Sequence, residues 1–331
     1  MICIYCSRDL DIEDFTTEHV VPEAFGTFEQ NLTLNGLVCG SCNQCFGDTI
    51  DFALARGSIE ALQRLGYGIK PTERAHELRS NRVRFVWKGT GPWDGAILRL
   101  SADADGLTAE LVPQVGFERA SGEGFVYVSE ETLRDVDQDL PNEINSKKGL
   151  FLVANSREIE HRLVQLLETR GIQFRESHRI SPPMEPGEQV PVEITTTVDA
   201  LVLRCVAKIA FNYLASTQSR EFVLQDDFDI ARRFIRYAER PPYPIAIIDF
   251  EPILRDDAMR RRQTNGHLVT VSWADDRVSI LAQVSLFNHA RYRVSLARHF
   301  RGIWRQIRSG HHFDIERRKV GPLLGTSLVV P

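Results

Sequence analysis

The chain lacks several features that would assign it to a class of protein at once. No run of 18 apolar residues is present, so the sequence predicts no membrane-spanning helix. No basic flank precedes an apolar run near residue 1, so no secretion signal is visible. Internal repeats and low-complexity segments are also missing. With 43% hydrophobic and 26% charged residues, the composition is that of a soluble globular protein, for which we expect a cytoplasmic location and no membrane partner.

Cysteine is scarce beyond the first 45 residues. Five of the six cysteines lie at positions 3, 6, 39, 42 and 45, and only Cys205 follows, within a helical pattern. A disulfide framework would distribute its cysteines through the chain, whereas such a cluster is typical of metal binding in a reducing compartment.

Positive charge is scarce as well, which bears on nucleic-acid binding. The net charge is −5, and the first 80 residues contain twelve acidic against six basic residues. That segment would not hold DNA electrostatically by itself. Residues 291–319, by contrast, contain nine basic and two acidic residues. Four of these arginines are our candidates for contacts with a nucleic-acid backbone: Arg291, Arg293, Arg305 and Arg308.

The arrangement of these arginines supports a basic face. Arg291 and Arg293 lie on one side of a predicted strand because side chains alternate with a period of two. Arg305 and Arg308 lie three apart in a short helical stretch, on one side of it. The alternative is a solvated face that pairs with the acidic first segment, and the sequence leaves both open.

Two C-x-x-C pairs predict a structural zinc site. The pairs are Cys3/Cys6 and Cys39/Cys42, separated by 32 residues. Each pair lets two sulfurs converge on one ion, and four thiolates complete the tetrahedron that structural zinc prefers. Cys45 also has C-x-x-C spacing to Cys42, and we treat it as a spare residue in the core of the following helix.

Between the pairs, an acidic residue and a histidine stand side by side. Glu18 and His19 are adjacent, and Asn43 directly follows the second pair. Carboxylate and amide oxygens are hard ligands suited to Mg²⁺. A neutral imidazole beside them can take a proton from water. A lone histidine is more often structural, but this set has the parts needed for phosphodiester hydrolysis.

The segment resembles the HNH (ββα-metal) endonuclease family, in the subgroup with a four-cysteine zinc. The resemblance covers about residues 1–55 and is carried by three motifs: C-I-Y-C at 3–6, E-H-V-V-P-E-A-F-G at 18–26 and N-G-L-V-C-G-S-C-N-Q-C-F-G at 35–47. It implies a β-hairpin carrying His19, an Ω-like loop and a helix that begins near Asn43.

The resemblance also implies roles for individual residues. His19 is the general base, and Glu18 and Asn43 hold a catalytic Mg²⁺ or Mn²⁺. The family's middle asparagine, which ties the loop to the hairpin, matches Asn35, with Asn31 as the fallback. Two positions depart from the family pattern: Asn43 stands where histidine is frequent, and Gly26-Thr27 stands where paired glycines follow the E-H-x-x-P run.

The function implied is metal-dependent endonucleolytic cleavage of DNA, and analogy with bacterial proteins of this layout suggests restriction or anti-phage defence. Two alternatives stay open. One is a zinc-stabilised module that binds nucleic acid or a partner with an inactive nuclease site, and the other is an RNA-cleaving, toxin-like nuclease. The oligomeric state is open too, with a homodimer among the options.

For the whole chain we predict an α+β protein of two domains. Residues 1–70 would form the ββα-metal zinc domain, and residues 80–331 a mixed α+β domain with an antiparallel sheet that recognises DNA or regulates the nuclease. In the first domain, a helix is predicted over 43–66, with an interruption at Gly57. Asp51 is expected on a solvated face of this helix.

The strongest helical pattern, over residues 197–216, is apolar on most of its circumference and is expected at the centre of the second core. Lys208 and Asn212 lie four apart on one face of this helix. Snorkelling and local hydrogen bonding are the common explanations for such residues.

Overall fold

The structure is a computed structural model that describes residues 1–69, 83–89, 91–103, 106–135, 139–142, 144, 149–172, 191–254, 265–303 and 308–323. Its contacts divide the chain into two compact units. The first unit joins residues 1–70 with residues 198–331, and the second unit comprises residues 71–197.

The first unit begins with a hairpin followed by a broken helix. The hairpin strands are β1 (Phe15–His19) and β2 (Thr33–Cys39), which pair antiparallel with a bulge between Thr16 and Glu18. Three helices follow: α1 (Gly40–Phe46), α2 (Phe52–Gly57) and α3 (Ile59–Gly66). A π-helical turn at Gly47–Asp51 joins α1 to α2. Ser58 caps α3 by accepting a hydrogen bond from the backbone N–H of Ala61, which explains the predicted interruption.

Among its described residues, the second unit has two antiparallel sheets and two helices. The four-stranded sheet has the order β5-β4-β3-β9 and the three-stranded sheet the order β7-β6-β8. Their elements are β3 (Val83–Trp87), β4 (Ile97–Asp103), β5 (Gly106–Leu111), β6 (Gln114–Glu118), β7 (Phe125–Ser129), α4 (Glu130–Arg134), β8 (Leu150–Val153), α5 (Arg157–Thr169) and β9 (Val192–Thr196).

The first unit resumes after β9 with three helices and a six-stranded antiparallel sheet of order β10-β13-β12-β11-β14-β15. Its elements are α6 (Ala200–Thr217), α7 (Arg220–Val223), α8 (Asp229–Tyr237), β10 (Ala246–Asp249), β11 (Gly266–Trp273), β12 (Ile280–Ser285), β13 (Arg291–Ala297), β14 (Arg308–Asp314) and β15 (Lys319–Pro322).

Helix α6 is the central element of the first unit. Asp199 caps it by accepting from the backbone N–H groups of Leu201 and Val202. It contacts the six-stranded sheet on one side and the π-helical turn and β2 on the other. Among the described helices it alone is long and apolar enough to span a membrane, but 72% of its residues are buried inside the protein, as expected of a core helix.

This division of the chain differs from the predicted one, which separated residues 1–70 from residues 80–331. Buried apolar side chains from positions 3–55 and from positions 202–313 form one continuous core. A segment of about 70 residues has at most a marginal core of its own, and here its apolar face packs on α6. Residues 71–197 form a separate unit, which separates the two halves of the first unit in the sequence.

The predicted fold class is confirmed. The described residues are a mixture of helices and antiparallel sheets, and the first 58 residues contain the expected hairpin and helix. The helix begins at Gly40, three residues before Asn43.

Candidate active site and metal centre

The four predicted zinc ligands lie together. The sulfur atoms of Cys3, Cys6, Cys39 and Cys42 are all within 4.8 Å of one another. The sulfurs of Cys6 and Cys39 are 3.8 Å apart. Zinc–sulfur bonds of about 2.3 Å at tetrahedral angles place two sulfurs about 3.8 Å apart, so this donor set fits a structural zinc ion.

Local backbone geometry explains why the first C-x-x-C pair can face the second. The chain turns back after Cys6, where Ser7 adopts a left-handed φ of 55° and donates its N–H to the carbonyl of Cys3. The backbone N–H of Cys39 points at the sulfur of Cys3, at 3.4 Å. The hydrogen bond between Cys3 and Cys42 lowers the pKa of Cys3 to about 4 and raises the pKa of Cys42, so Cys3 is the member of this pair that becomes a thiolate first. A low pKa favours the thiolate that zinc requires.

Two arginines lie against the thiolate cluster. Arg8 donates to the sulfur of Cys6 at 3.5 Å, and Arg236 of α8 donates to the sulfur of Cys42 at 3.2 Å. Four thiolates on one Zn²⁺ carry a net charge of about −2, and two guanidinium groups offset it. Arg236 also donates to Cys45 at 3.1 Å, and Cys45 is not one of the four grouped thiols.

The candidate base lies at the end of β1. His19 is partly exposed, and its Nε2 is 3.3 Å from a carboxylate oxygen of Glu23. Glu23 begins a short 3₁₀ turn, Glu23–Phe25, that directly follows Pro22. Sequence reasoning did not single out Glu23, although its spacing of four from His19 was visible. A carboxylate at this distance orients the imidazole ring.

Asn43 and Asn35 both attach to β1 beside the base. The Nδ2 of Asn43 donates to the hydroxyl of Thr16 and to the carbonyl of Thr17, each at 3.0 Å. Asn35 accepts from the hydroxyl of Thr17 at 3.0 Å, so it ties β2 to β1. The Oδ1 of the fallback residue Asn31 is buried and has no hydrogen-bond partner among the described residues.

Glu18 points away from the surface. Its residue is 4% exposed, and its Oε1 accepts from Lys208 Nζ at 2.6 Å and from Asn212 Nδ2 at 3.0 Å. Both donors belong to α6, about 190 positions along the chain. Snorkelling and local hydrogen bonding, the common explanations for such residues, therefore do not account for Lys208 and Asn212.

The same lysine binds a second carboxylate. Lys208 Nζ is 2.7 Å from Asp51 Oδ2, and the thiol of Cys205 donates to Asp51 Oδ1 at 3.1 Å. The expectation that Asp51 lies on a solvated helix face is wrong, because the π-helical turn directs it towards α6. Burial alone lowers the pKa of Lys208, but the charges of Asp51 and Glu18 outweigh burial and raise it, so Lys208 remains charged.

The two expected ligands of a catalytic divalent ion, Asn43 and Glu18, differ in which of their oxygens already accept hydrogen bonds. Asn43 uses its amide nitrogen on β1 and leaves its oxygen available, which suits a hard cation. Glu18 has Oε1 engaged by Lys208 and Asn212, and within the described part of the chain no donor reaches Oε2. Asn43 Oδ1 and Glu18 Oε2 are therefore the two ligand oxygens that these hydrogen bonds leave available.

The candidate nucleic-acid contacts are only partly described. Arg291 and Arg293 share a face of β13, but both approach the same carboxylate oxygen of Asp249 on β10, at 3.0 Å each. Arg291 is buried. Arg305 lies outside the described residues, and for Arg308 the structure describes the backbone within β14. Arg291 is thus not placed to hold a phosphate.

The comparisons with known proteins agree with the geometry of the first segment. Residues 3–58 match a family model described as HNH endonuclease. The search of curated proteins and the search of solved structures found no match.

Proposed function

We propose that the protein is a metal-dependent endonuclease that hydrolyses DNA phosphodiester bonds, because residues 3–58 match the model of the HNH endonuclease family. The family match supports a nuclease-type hydrolase, and the choice of DNA as substrate rests on the family. A role in restriction or anti-phage defence rests on analogy alone.

The observation that carries the proposal is the environment of His19. The ring lies at the end of a strand, is partly exposed, and has a carboxylate at Nε2. A neutral imidazole in this position can accept a proton from an attacking water, and Glu23 stabilises the charge that forms. Asn43 and Asn35 brace the same strand through Thr16 and Thr17.

Asn43 Oδ1 and Glu18 Oε2 would hold Mg²⁺ or Mn²⁺. When bound, such an ion supplies stabilisation of charge on the scissile phosphate and the leaving oxygen. The four-cysteine zinc has a structural role: it fixes the loop that contains Tyr5 and the N-terminus of α1.

The test is a plasmid-nicking assay with Mg²⁺ and Mn²⁺ on protein of verified zinc content. His19→Ala should reduce the cleavage rate by about 10²- to 10⁴-fold, the range expected for loss of a general base. The matched control is His161→Ala, which removes an exposed histidine from α5 of the second unit and should leave the rate unchanged. Equal rates for wild type and His19→Ala would show that this histidine is not the base.

The ammonium group of Lys208 on Glu18 favours a second candidate, a zinc-stabilised binding module without hydrolysis, because Glu18 already has a cationic partner. Gel-shift titration of DNA and RNA distinguishes the two. Retarded nucleic acid that stays uncut in Mg²⁺ and Mn²⁺ identifies the binding module, whereas cleaved RNA with intact DNA identifies a ribonuclease.

A further inference from the structure

Helix α6 brings two buried polar side chains to the peptide that carries the base. Lys208 and Asn212 are both 0% exposed and lie one turn apart. Besides its bond to the Glu18 carboxylate, Asn212 Nδ2 donates to the main-chain carbonyl of His19 at 3.0 Å. One amide group thus holds both the side chain of Glu18 and the backbone of His19.

We infer that Asn212 and Lys208 are positioning residues for the His19 site. The inference rests on the proposed endonuclease function and deepens it, because it assigns a role in that site to a helix outside residues 3–58. Asn212 fixes the Glu18–His19 peptide at the end of β1, and Lys208 fixes the orientation of the Glu18 carboxylate.

The loop between Cys3 and Cys6, called the zinc knuckle below, supplies the hydrogen bond to the oxygen of the Asn212 amide. The Glu18 carboxylate and the His19 carbonyl can only accept, so the amide nitrogen faces them, and the hydroxyl of Tyr5 donates to Asn212 Oδ1 at 2.5 Å. Tyr5 lies between the zinc ligands Cys3 and Cys6, and its ring packs against Phe46 and Phe211. A continuous hydrogen-bonded path therefore runs from the knuckle through α6 to the candidate base.

The charge on Lys208 indicates that this residue orients the Glu18 carboxylate and does not only stabilise the fold. A buried ion pair contributes little net stability, because desolvation offsets most of the attraction, and apolar residues of similar size often do as well. A lysine that joins Glu18 to Asp51 does what an apolar residue could not: it sets which oxygen of Glu18 is engaged and which remains available.

Arg204 of the same helix provides the contrast. It is also buried, one turn before Lys208, but its guanidinium donates to the carbonyls of Phe234 and Ile235 at the end of α8. That arrangement stabilises the packing of two helices and does not contact β1. Arg204→Met is therefore the matched control for loss of a buried polar group from α6.

The experiment compares zinc-loaded wild type, Asn212→Leu, Tyr5→Phe and Arg204→Met. Asn212→Leu keeps the size of the side chain and removes all three hydrogen bonds, and Tyr5→Phe removes only the hydroxyl that bonds to the amide oxygen. We measure kcat and KM of plasmid cleavage. We also record the ¹⁵N signals of the His19 ring by NMR, assigned through their loss in His19→Ala.

Asn212→Leu should lower kcat by about 10- to 100-fold, as is usual when a group that orients a site residue is lost. KM should stay within about threefold, since substrate contacts are unchanged. Tyr5→Phe should show a smaller loss of kcat. The His19 ring signals should shift in both variants and keep their wild-type positions in Arg204→Met.

Each result decides the inference separately from the proposed function. If wild type cleaves and Asn212→Leu retains its kcat, the inference is overturned and the proposed function stands. If wild type cleaves neither DNA nor RNA, the proposed function fails, and the NMR signals decide the positioning role. Unchanged His19 signals in Asn212→Leu, or equal shifts in Arg204→Met, then overturn it.

Discussion

His267 of β11 makes the stability of the first unit sensitive to mild acid. The ring is fully buried, and its Nε2 lies 2.9 Å from the carbonyl of Phe25, to which it donates. Its Nδ1 accepts from the backbone N–H of Phe287 at 3.2 Å. A neutral imidazole satisfies both bonds, whereas a protonated ring would turn a second N–H against the N–H of Phe287. Burial lowers the pKa of His267 from 6.5 to about 4.

The depressed pKa fixes the direction of the effect. Below about pH 6.5 the unfolded chain takes up a proton at this position and the folded protein does not, so stability is lost as the pH falls from 6.5 towards 4. The full effect is about 3 kcal/mol, and about 2 kcal/mol of it falls between about pH 7.5 and about pH 5.

Urea unfolding of the zinc-loaded protein at a series of pH values measures this effect, with His267→Gln as the comparison. Glutamine keeps a donor and an acceptor but does not titrate in this range, so the variant should lose about 2 kcal/mol less than wild type on acidification. Acid also weakens zinc binding, but it does so in both proteins. Exposed His161→Gln is the control and should keep the wild-type slope. Identical slopes for wild type and His267→Gln would refute the reasoning.

Two further predictions concern the metal and the arginines. Cys6→Ser removes one of the four thiolates, so zinc measured by atomic emission should fall from about one ion per chain towards zero. Folded structure in residues 1–69 should be lost with it. A variant that keeps its zinc would contradict the four-cysteine site. Arg293→Gln should leave the salt dependence of DNA affinity unchanged, because Arg293 is paired with Asp249, whereas loss of a phosphate contact would lower the slope by about one.

The sequence predicts the metal centre well because the information is local. Two C-x-x-C pairs specify ligand number and type, and the structure brings all four sulfurs together. Asn43 and Asn35 follow the family pattern, and both are found bonded to β1. The roles of His19, Glu18, Asn43 and Asn35 in catalysis stay predictions.

The sequence does not predict which polar residues pair when they lie far apart along the chain. Nothing local shows that the lysine four residues before Asn212 meets Glu18 and Asp51, since an i, i+4 polar pair on an apolar helix fits many environments. The ion pair of Arg291 is not predicted for the same reason: a local count of basic residues does not reveal that Asp249 lies on the neighbouring strand.

Because residues of α6 hold Glu18, the site can be completed only after α6 has been synthesised. Lys208 follows Glu18 by 190 positions. At roughly 5–20 residues per second, about 10–40 seconds separate their synthesis. During that interval the nascent chain already carries all four zinc ligands, but the Glu18 carboxylate has no lysine beside it. The ribosome must therefore complete about two thirds of the 331 residues before His19 and Glu18 acquire their final support.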